Sequence, residues 1–350
     1  MQTLPEFAAP NIAVPESARV PKAPQSEPPS VPETWEGPAA TLVDVPRQAM
    51  QPSEPPSPTP EEREGRVLGG AYQLLVPIGT GSTGAVYEAR HLPSGQPVAV
   101  KVLREKWRTS EGQMRRFERE ARAGSIIRHR HIVRLLDAGV EPDGTAWQVL
   151  ELLEGRELAT AVEQRPLAIE EAMLLARQLL EALHAVHLRG YVHRDVKPEN
   201  VFLVDREDGR LFAKLLDFGI AKPMIPTLTT PALTDEGVIL GTPQYMAPEQ
   251  ITGDLPVTPS SDLWALGAVL FTSLAGRPPY YEAQLSTLLV KIAREPAPSV
   301  SYFRGDVPRR FAEILARALR THPAHRYRDA IEMSEDLERC IADHGSLSGF

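Results

Sequence analysis

The chain has 350 residues, of which 24% are charged, and a formal net charge of -8 at pH 7. Its single cysteine, Cys340, excludes an internal disulfide and a zinc cluster built from cysteines, and it is typical of a reducing compartment. The N-terminus lacks the basic and apolar regions of a signal peptide, and the most apolar run, Leu263 to Gly276, is too short to span a membrane. We therefore expect a cytoplasmic protein without membrane association.

The first 65 residues differ in composition from the rest. They contain about fifteen of the 34 prolines, and ten acidic residues against four basic ones. Such a segment cannot bury enough apolar surface to fold, which predicts a disordered, acidic, Pro-rich arm over 1–65. Within it, Thr34 to Val45 is either a docking or autophosphorylation motif or a solvated tail with chance apolar residues. Residues 66–350 are nearly neutral, which argues against nucleic acid as a partner.

Three β-rich runs follow the arm: YQLLVPIG, AVYEARH and PVAVKVL. The short turns between them predict an antiparallel meander. The first connection contains Gly79, Gly81 and Gly84 in the pattern GxGxxGxV, which ends at Val86. Glycines allow backbone N–H groups to approach a polyphosphate. Because this loop leads into a strand, it does not fit a dinucleotide-binding fold, in which a helix would follow.

Lys101 lies inside the third run, after Val98-Ala99-Val100, and an isolated lysine in a strand is usually a solvated edge residue. The next segment, Glu111 to Ile127, has helical character, and within it Glu118 and Glu120 lie on different faces. Further on, WQVLELL predicts a strand running into a linker, and Ala168 to Arg189 carries leucines at helical spacing. That helix should end at Gly190.

The most informative stretch is YVHRDVKPENVFL, Tyr191 to Leu203. Asp195, Lys197 and Asn200 lie within six residues on a loop between apolar pairs. Phosphoryl transfer needs these groups: a carboxylate to orient the acceptor hydroxyl, a fixed cation, and hard oxygen ligands for Mg²⁺. A polar turn between two strands is the alternative interpretation of an isolated HxD, but not of this combination.

The sequence H-R-D-x-K-P-x-N resembles the catalytic loop of eukaryotic-like (Hanks-type) protein kinases, in the serine/threonine branch and in bacterial style. The resemblance extends over about residues 72 to 340. It implies a bilobal α+β fold, with a small antiparallel β-sheet lobe that carries one regulatory helix and a larger, mainly helical lobe. We place the domain at 66–342, with the lobes at 66–153 and 154–342 and a short tail at 343–350.

The resemblance also implies which residues bind ATP. Lys101 matches the lysine that contacts the α- and β-phosphates, and Glu120, 19 residues later, matches its helix partner. Leu150 corresponds to the gatekeeper, and residues 151–153 to the hinge, whose backbone would bind adenine. The complete set of predicted ATP-binding residues is Ile78, Gly79, Gly81, Gly84, Val86, Ala99, Lys101, Glu120, Glu151, Leu152 and Phe202.

A hairpin with its turn at Asp208 and Gly209 should lead to Asp217-Phe218-Gly219. By resemblance Asp217 and Asn200 bind Mg²⁺. Residues 220–245 correspond to the activation loop, whose threonines are Thr227, Thr229, Thr230 and Thr234. We expect phosphorylation there, at Thr234 or Thr230, to pair with Arg194. Thr242 resembles the threonine that contacts Asp195 and Lys197.

The resemblance assigns structural roles in the large lobe. Asp262 should support the catalytic loop from beneath, and Arg326 should pair with Glu249. One departure lies in the regulatory helix, where Gly124 replaces an apolar residue; we expect it to weaken the helix and leave a packing gap. The sequence ends at Phe350, so no sensor domain or membrane anchor is expected after it.

These observations predict a serine/threonine protein kinase that transfers the γ-phosphoryl group of Mg-ATP to Ser or Thr hydroxyls of protein substrates. Asp195, Lys197 and Asn200 are the predicted catalytic residues, and the Pro-rich arm is a possible docking site for a partner. Two alternatives remain: a pseudokinase scaffold that binds partners through the arm, and a kinase of small molecules on the same fold. Fold alone does not decide between them.

Overall fold

The computed structural model of the chain describes residues 61–81, 84–104, 111–216 and 243–345. Its small lobe is a six-stranded sheet in the order β1-β2-β3-β4-β6-β5, in which every neighbouring pair is antiparallel. The strands are β1 (Val67–Leu68), β2 (Tyr72–Thr80), β3 (Gly84–His91), β4 (Pro97–Leu103), β5 (Leu135–Val140) and β6 (Ala146–Glu151). The predicted antiparallel meander is therefore confirmed.

One face of this sheet forms the core of the small lobe. Alternate residues of β4, namely Val98, Val100 and Val102, are almost fully buried with Tyr87 and Trp147. Because side chains alternate along a strand, Ala99 and Lys101 point to the opposite face. This alternation gives the sheet one apolar packing face and one face that carries the predicted nucleotide contacts.

Helix α1 (Glu111–Ile126) packs against the sheet through Phe117, which is 5% exposed and contacts Leu103 and Ala146. The packing gap predicted at Gly124 is not present, and that prediction was wrong. A Cβ atom at residue 124 would lie 3.1 Å from the Cβ of Leu135 in β5. Leu135 occupies the space that a larger residue 124 would otherwise fill, so the glycine permits a close approach of helix and strand.

The large lobe is helical. Its helices are α2 (Leu158–Gln164), α3 (Ile169–His187), α4 (Pro248–Thr252), α5 (Pro259–Ala275), α6 (Leu285–Arg294), α7 (Arg309–Ala318) and α8 (Ala330–His344). Residues 260–274 of α5 are all buried, which confirms that the most apolar run is the central core helix. A buried helix of this kind is a rigid support for the loops that contact it.

A second sheet joins the two lobes on one side. Its strands β7 (Gly155–Glu157), β8 (Val201–Val204) and β9 (Ala213–Leu215) lie in that order and are antiparallel. The segment between α1 and β5 is hydrogen-bonded to β9: Val133 N donates to Leu215 O at 3.0 Å, and Leu215 N donates to His131 O at 2.9 Å. The predicted hairpin between β8 and β9 is confirmed, with Gly209 at a positive φ of 66° in its turn.

Candidate active site

The loop between α3 and β8 brings the three predicted catalytic side chains together. A short 3-10 turn, Pro198–Asn200, returns the chain toward Asp195. Asn200 Nδ2 donates hydrogen bonds to the backbone oxygen of Asp195 at 2.8 Å and to its Oδ2 at 3.0 Å. Lys197 Nζ lies 3.3 Å from the same Oδ2. The Asp195 carboxylate is thus oriented by one amide and one cation.

Asp262, at the start of α5, supports this loop from beneath, as predicted. Its side chain is fully buried and accepts three hydrogen bonds. The donors are His193 N at 2.8 Å, Arg194 N at 2.7 Å and His187 Nε2 at 2.8 Å. A buried carboxylate is stable only when its oxygens are hydrogen-bonded, so these three donors stabilise Asp262 and Asp262 in turn fixes the loop backbone.

Arg194 has a φ of 67° and is the only non-glycine residue with a positive φ in the part of the chain that the structure describes. A side chain in this left-handed region is strained by about 1 to 3 kcal/mol. Two hydrogen bonds hold the conformation: Arg194 N donates to Asp262, and Gln250 Nε2 donates to Arg194 O at 3.0 Å. The strain is therefore imposed by the core of the large lobe.

His193 connects the catalytic loop to the end of β9. Its Nε2 lies 3.0 Å from Leu216 O and its Nδ1 accepts from Asp195 N at 3.4 Å, which requires the Nε2–H tautomer. Leu216 N also donates to Asn200 O at 2.8 Å. The residue before Asp217 is in this way fixed beside Asn200. Asp217 itself lies outside the described residues.

The predicted nucleotide contacts share one face of the small-lobe sheet. Lys101 is 8% exposed and lies opposite Val86 of β3, and Ala99, two residues earlier, lies opposite Leu150 of β6. Paired residues on neighbouring strands point to the same face, as do residues two apart on one strand. The strand pairing therefore groups these side chains on the face away from the small-lobe core.

The three glycines of the first connection have different surroundings. A Cβ atom at Gly79 would meet nothing within 4 Å, and one at Gly81 would meet only Gly84 O at 4.0 Å. At Gly84 it would lie 2.2 Å from Val102 O, a distance that no side chain tolerates. Gly84 is required by the packing of β3 on β4, whereas Gly79 and Gly81 leave open space for a ligand.

The structure gives the positions of several other predicted residues, and their roles stay predictions. Ile78 is 50% exposed at the end of β2, Phe202 is half-buried in β8, and Glu120 is half-buried on α1. The pairing of Lys101 with Glu120 stays a prediction. Leu152 follows β6 directly, in the predicted hinge. The threonines predicted for the activation loop, and Thr242, lie outside the described residues: Thr227, Thr229, Thr230, Thr234 and Thr242.

Glu151 has a role that the sequence did not reveal. Its Oε1 accepts from Lys214 Nζ at 2.7 Å and from Arg134 N at 2.8 Å, and Glu151 N donates to Arg134 O at 3.0 Å. The side chain thus joins the hinge to β9 and to the segment before β5. The sequence signal for the contact between Glu151 and Lys214 was weak. Lys214 is a single lysine in a short strand, and a contact between residues 63 positions apart produces no local sequence pattern.

The charge of Lys197 acts on a nearby carboxyl group, that of Glu157. Burial raises the pKa of Glu157, the negative charge of Glu199 raises it further, and Lys197 opposes both effects. Glu157 is at the end of β7 and Glu199 is in the 3-10 turn that follows Lys197. The charges of these three side chains are therefore coupled.

Glu249 and Arg326 form the ion pair predicted for the large lobe. The two guanidinium nitrogens Nη1 and Nη2 donate to Oε1 and Oε2 at 2.8 and 2.7 Å, and both side chains are almost completely buried. Arg326 also donates to the backbone oxygens of Arg320 and Thr321. This bidentate pair fixes the start of α4 against the segment before α8.

The comparison with protein-family models identifies the fold. The model for the protein kinase domain matches residues 72–335, which is more than half of the chain. This chain belongs to the protein kinase domain family. Its small β-sheet lobe and helical large lobe are the two lobes of that fold, so the predicted bilobal α+β architecture is confirmed.

Two curated relatives of this kinase domain come from bacteria. The serine/threonine-protein kinase Pkn1 of Myxococcus xanthus is 37% identical over 279 residues, covering 80% of this chain and 39% of the relative. The serine/threonine-protein kinase PknD of Mycobacterium tuberculosis is 36% identical over 281 residues, with 80% of this chain and 40% of the relative covered. The chain spans about two fifths of the length of these relatives.

Among solved structures, the PknI kinase domain of Mycobacterium tuberculosis matches the kinase domain with a TM-score of 0.62 at 27% sequence identity. The match covers 79% of this chain and 98% of that one. Within the ranges that the structure describes, no helix combines the length and apolar character needed to cross a bilayer.

Proposed function

We propose that this chain is a serine/threonine protein kinase that transfers the γ-phosphoryl group of ATP to hydroxyl groups of protein substrates. The observation that carries the proposal is the Asp195 carboxylate, oriented by Asn200 and Lys197 on a loop that Asp262 supports. Membership of the kinase family and the names of the bacterial relatives support ATP as the donor and protein as the acceptor. The comparisons give no support to the scaffold alternative.

Each catalytic side chain has a physical role in this proposal. Asp195 accepts a hydrogen bond from the substrate hydroxyl, orients its oxygen toward the γ-phosphorus and takes up its proton. Lys197, 3.3 Å from Asp195, places a positive charge where the transferred phosphoryl group passes. Lys101 contacts the α- and β-phosphates, with Glu120 as its partner, and the glycine-rich connection covers them.

Asn200 is suited to hold a divalent cation. Its amide nitrogen donates both of its hydrogen bonds to Asp195, so the amide oxygen is directed away from Asp195. An amide oxygen is a hard ligand that suits Mg²⁺, and Asp217 would supply a carboxylate oxygen. When bound, Mg²⁺ neutralises charge on the β- and γ-phosphates.

The remaining parts of the proposal concern organisation and regulation. We place the kinase domain at 66–342, between an acidic arm at 1–65 that binds a partner and a short tail at 343–350. Phosphorylation of the activation loop, at Thr230 or Thr234, activates the enzyme by pairing with Arg194.

The test is incubation of the purified chain with Mg²⁺ and γ-labelled ATP, beside an Asp195→Asn variant. We expect label in the wild-type chain and in a generic protein substrate, and a loss of transfer of at least about a thousandfold in the variant, which should still bind ATP. Mapping by mass spectrometry should place phosphate on Ser or Thr residues. Equal labelling of both proteins, or ATP binding without any transfer by phosphorylated wild-type chain, would contradict the proposal.

A further inference from the structure

A cavity of about 510 Å³ opens behind the hinge, on the side where β9 meets the segment between α1 and β5. Its floor is apolar and consists of the buried side chains Ile127, Ile132 and Val133. Glu151 lies at one wall. None of the catalytic loop residues lines this cavity, and Glu151 is the one lining residue that it shares with the predicted ATP-binding set.

The rim of this back cavity is strongly basic. It carries Arg128, Arg130, Arg134 and Lys214, against the single carboxylate of Glu151. Lys214 is paired with Glu151. The three arginines are exposed, and no described carboxylate lies within ion-pair distance of any of them. The cavity therefore has positive charge that the surrounding protein does not neutralise.

The ring of Phe212 and the backbone around Arg134 position two of these arginines before any ligand binds. The guanidinium of Arg130 lies 5.3 Å from the centre of the Phe212 ring, within range of a cation–π contact. Arg134 N donates to Glu151 Oε1, and Arg134 O accepts from Glu151 N. Because the segment that carries the arginines is also hydrogen-bonded to β9, little backbone freedom remains to be lost on binding.

The chemistry of the rim selects the ligand. A carboxylate binds one guanidinium in a bidentate manner, whereas a phosphate monoester has three acceptor oxygens and nearly two negative charges, which can engage several arginines at once. The concave shape and limited volume suit a side chain of a peptide and do not suit a flat membrane or a nucleic-acid duplex. We propose that the back cavity binds a phosphoserine or phosphothreonine side chain of a protein segment.

This binding requires neither ATP nor phosphoryl transfer, so it can be tested apart from the proposed function. The probes are two fluorescent peptide mixtures, degenerate at all flanking positions, with a central phosphothreonine in one and a central glutamate in the other. Anisotropy is measured with the full chain after phosphatase treatment, without ATP. The test variant combines Arg130→Gln with Arg134→Gln, and the control combines Arg294→Gln with Arg320→Gln, two exposed arginines elsewhere in the large lobe.

We expect the phosphothreonine mixture to bind at least about tenfold more tightly than the glutamate mixture, and the test variant to lose at least about tenfold in affinity while the control keeps it. Binding should persist with a saturating non-hydrolysable ATP analogue. Equal affinity for the two mixtures, no binding of either, full binding by the test variant, or an equal loss in the control would each overturn the proposal. Matching thermal unfolding midpoints would show that both variants are folded.

Discussion

The loop that carries Asp195 and the glycine-rich connection serve the same reaction in the proposed function, but they are built in opposite ways. The loop at residues 193–200 is held by a fully buried carboxylate, by Gln250 and by hydrogen bonds to the end of β9. The connection at residues 79–84 has open space around two of its three glycines, and Ile78 beside it is half exposed. One region is fixed by the core of the large lobe, whereas the other has open space where side chains at Gly79 and Gly81 would lie.

The difference corresponds to what each region must do. Groups that act on the transferred phosphoryl must be held within a fraction of an ångström before the substrate arrives, because a misplaced carboxylate loses most of its catalytic effect. Groups that cover a nucleotide must let it enter and leave. We therefore expect substitutions under the catalytic loop to affect folding and chemistry together, and substitutions in the glycine-rich connection to affect mainly nucleotide binding.

The largest effect should follow from breaking the buried ion pair of the large lobe. Arg326→Met leaves Glu249 buried without its cation, which we expect to lower the free energy of unfolding by about 3 to 5 kcal/mol. The control is Arg309→Met, which breaks an exposed pair with Glu313 and should leave the free energy of unfolding almost unchanged. Urea denaturation measures both. A small loss of stability in Arg326→Met would show that the fold of the large lobe does not depend on this buried ion pair.

The second substitution tests the support of the catalytic loop directly. Asp262→Asn places an amide group where three donors converge, so one donor loses its acceptor. We expect a loss of about 3 kcal/mol in stability and a fall in kcat without an equal rise in KM for ATP. Asp205→Asn, an exposed carboxylate, is the control. If kcat were unchanged in folded Asp262→Asn protein, the loop would not depend on this anchor.

The third prediction compares the same substitution at two glycines of the glycine-rich connection. Gly84→Ala brings a methyl group against Val102 O and should lower stability by about 2 kcal/mol as β3 and β4 separate. Gly79→Ala adds the same methyl group in open space and should change stability by less than about 0.5 kcal/mol, while raising KM for ATP. Thermal unfolding and initial rates distinguish the two. A reversed order of stabilities would contradict the geometry described for the two glycines.

The smallest effect concerns an exposed ion pair of the small lobe. Burial alone would raise the pKa of Asp143, but hydrogen bonds from Thr145 and then from Arg66 outweigh it and hold the pKa well below its usual value of 3.8. A depressed pKa stabilises the folded state above the unfolded pKa, and this contribution is lost as the pH falls.

We expect Asp143→Asn to cost less than about 1 kcal/mol at pH 7, because the pair is partly exposed. The difference from wild type should shrink as the pH is lowered below about 4. Urea denaturation at several pH values measures it. A difference that stayed constant down to low pH would mean that the ion pair is not its origin.

The sequence predicted most of the large-lobe anchors, since they are parts of motifs. Asp262 opens an apolar helix, Glu249 follows Ala-Pro, and Arg326 lies in HPAHRY, so each was recognisable in its local context. The spacing of Asp195, Lys197 and Asn200 likewise placed them on one short loop, where Asn200 donates to Asp195. These predictions succeeded because the chemistry fixes both the residue type and its distance along the chain.

What the sequence did not predict are long-range contacts of residues that belong to no recognised motif. The hydrogen bonds of Glu151 with Lys214 and Arg134 depend on how β9 approaches the hinge. No local sequence pattern encodes that approach. The gap expected at Gly124 was an error of the same kind, because the side chain that fills the space belongs to another strand. The pairing of Lys101 with Glu120 and the site for Mg²⁺ stay predictions.

The close approach of Gly124 to Leu135 packs helix α1 directly on strand β5. A Cβ atom at residue 124 would lie 3.1 Å from the Cβ of Leu135, so there is no side chain of residue 124 between the helix backbone and the leucine. We expect a displacement of α1 toward or away from Lys101 to shift β5 as well. A fluorescent label at the exposed Leu136 in β5 should consequently report the orientation of the helix without any probe in the active site.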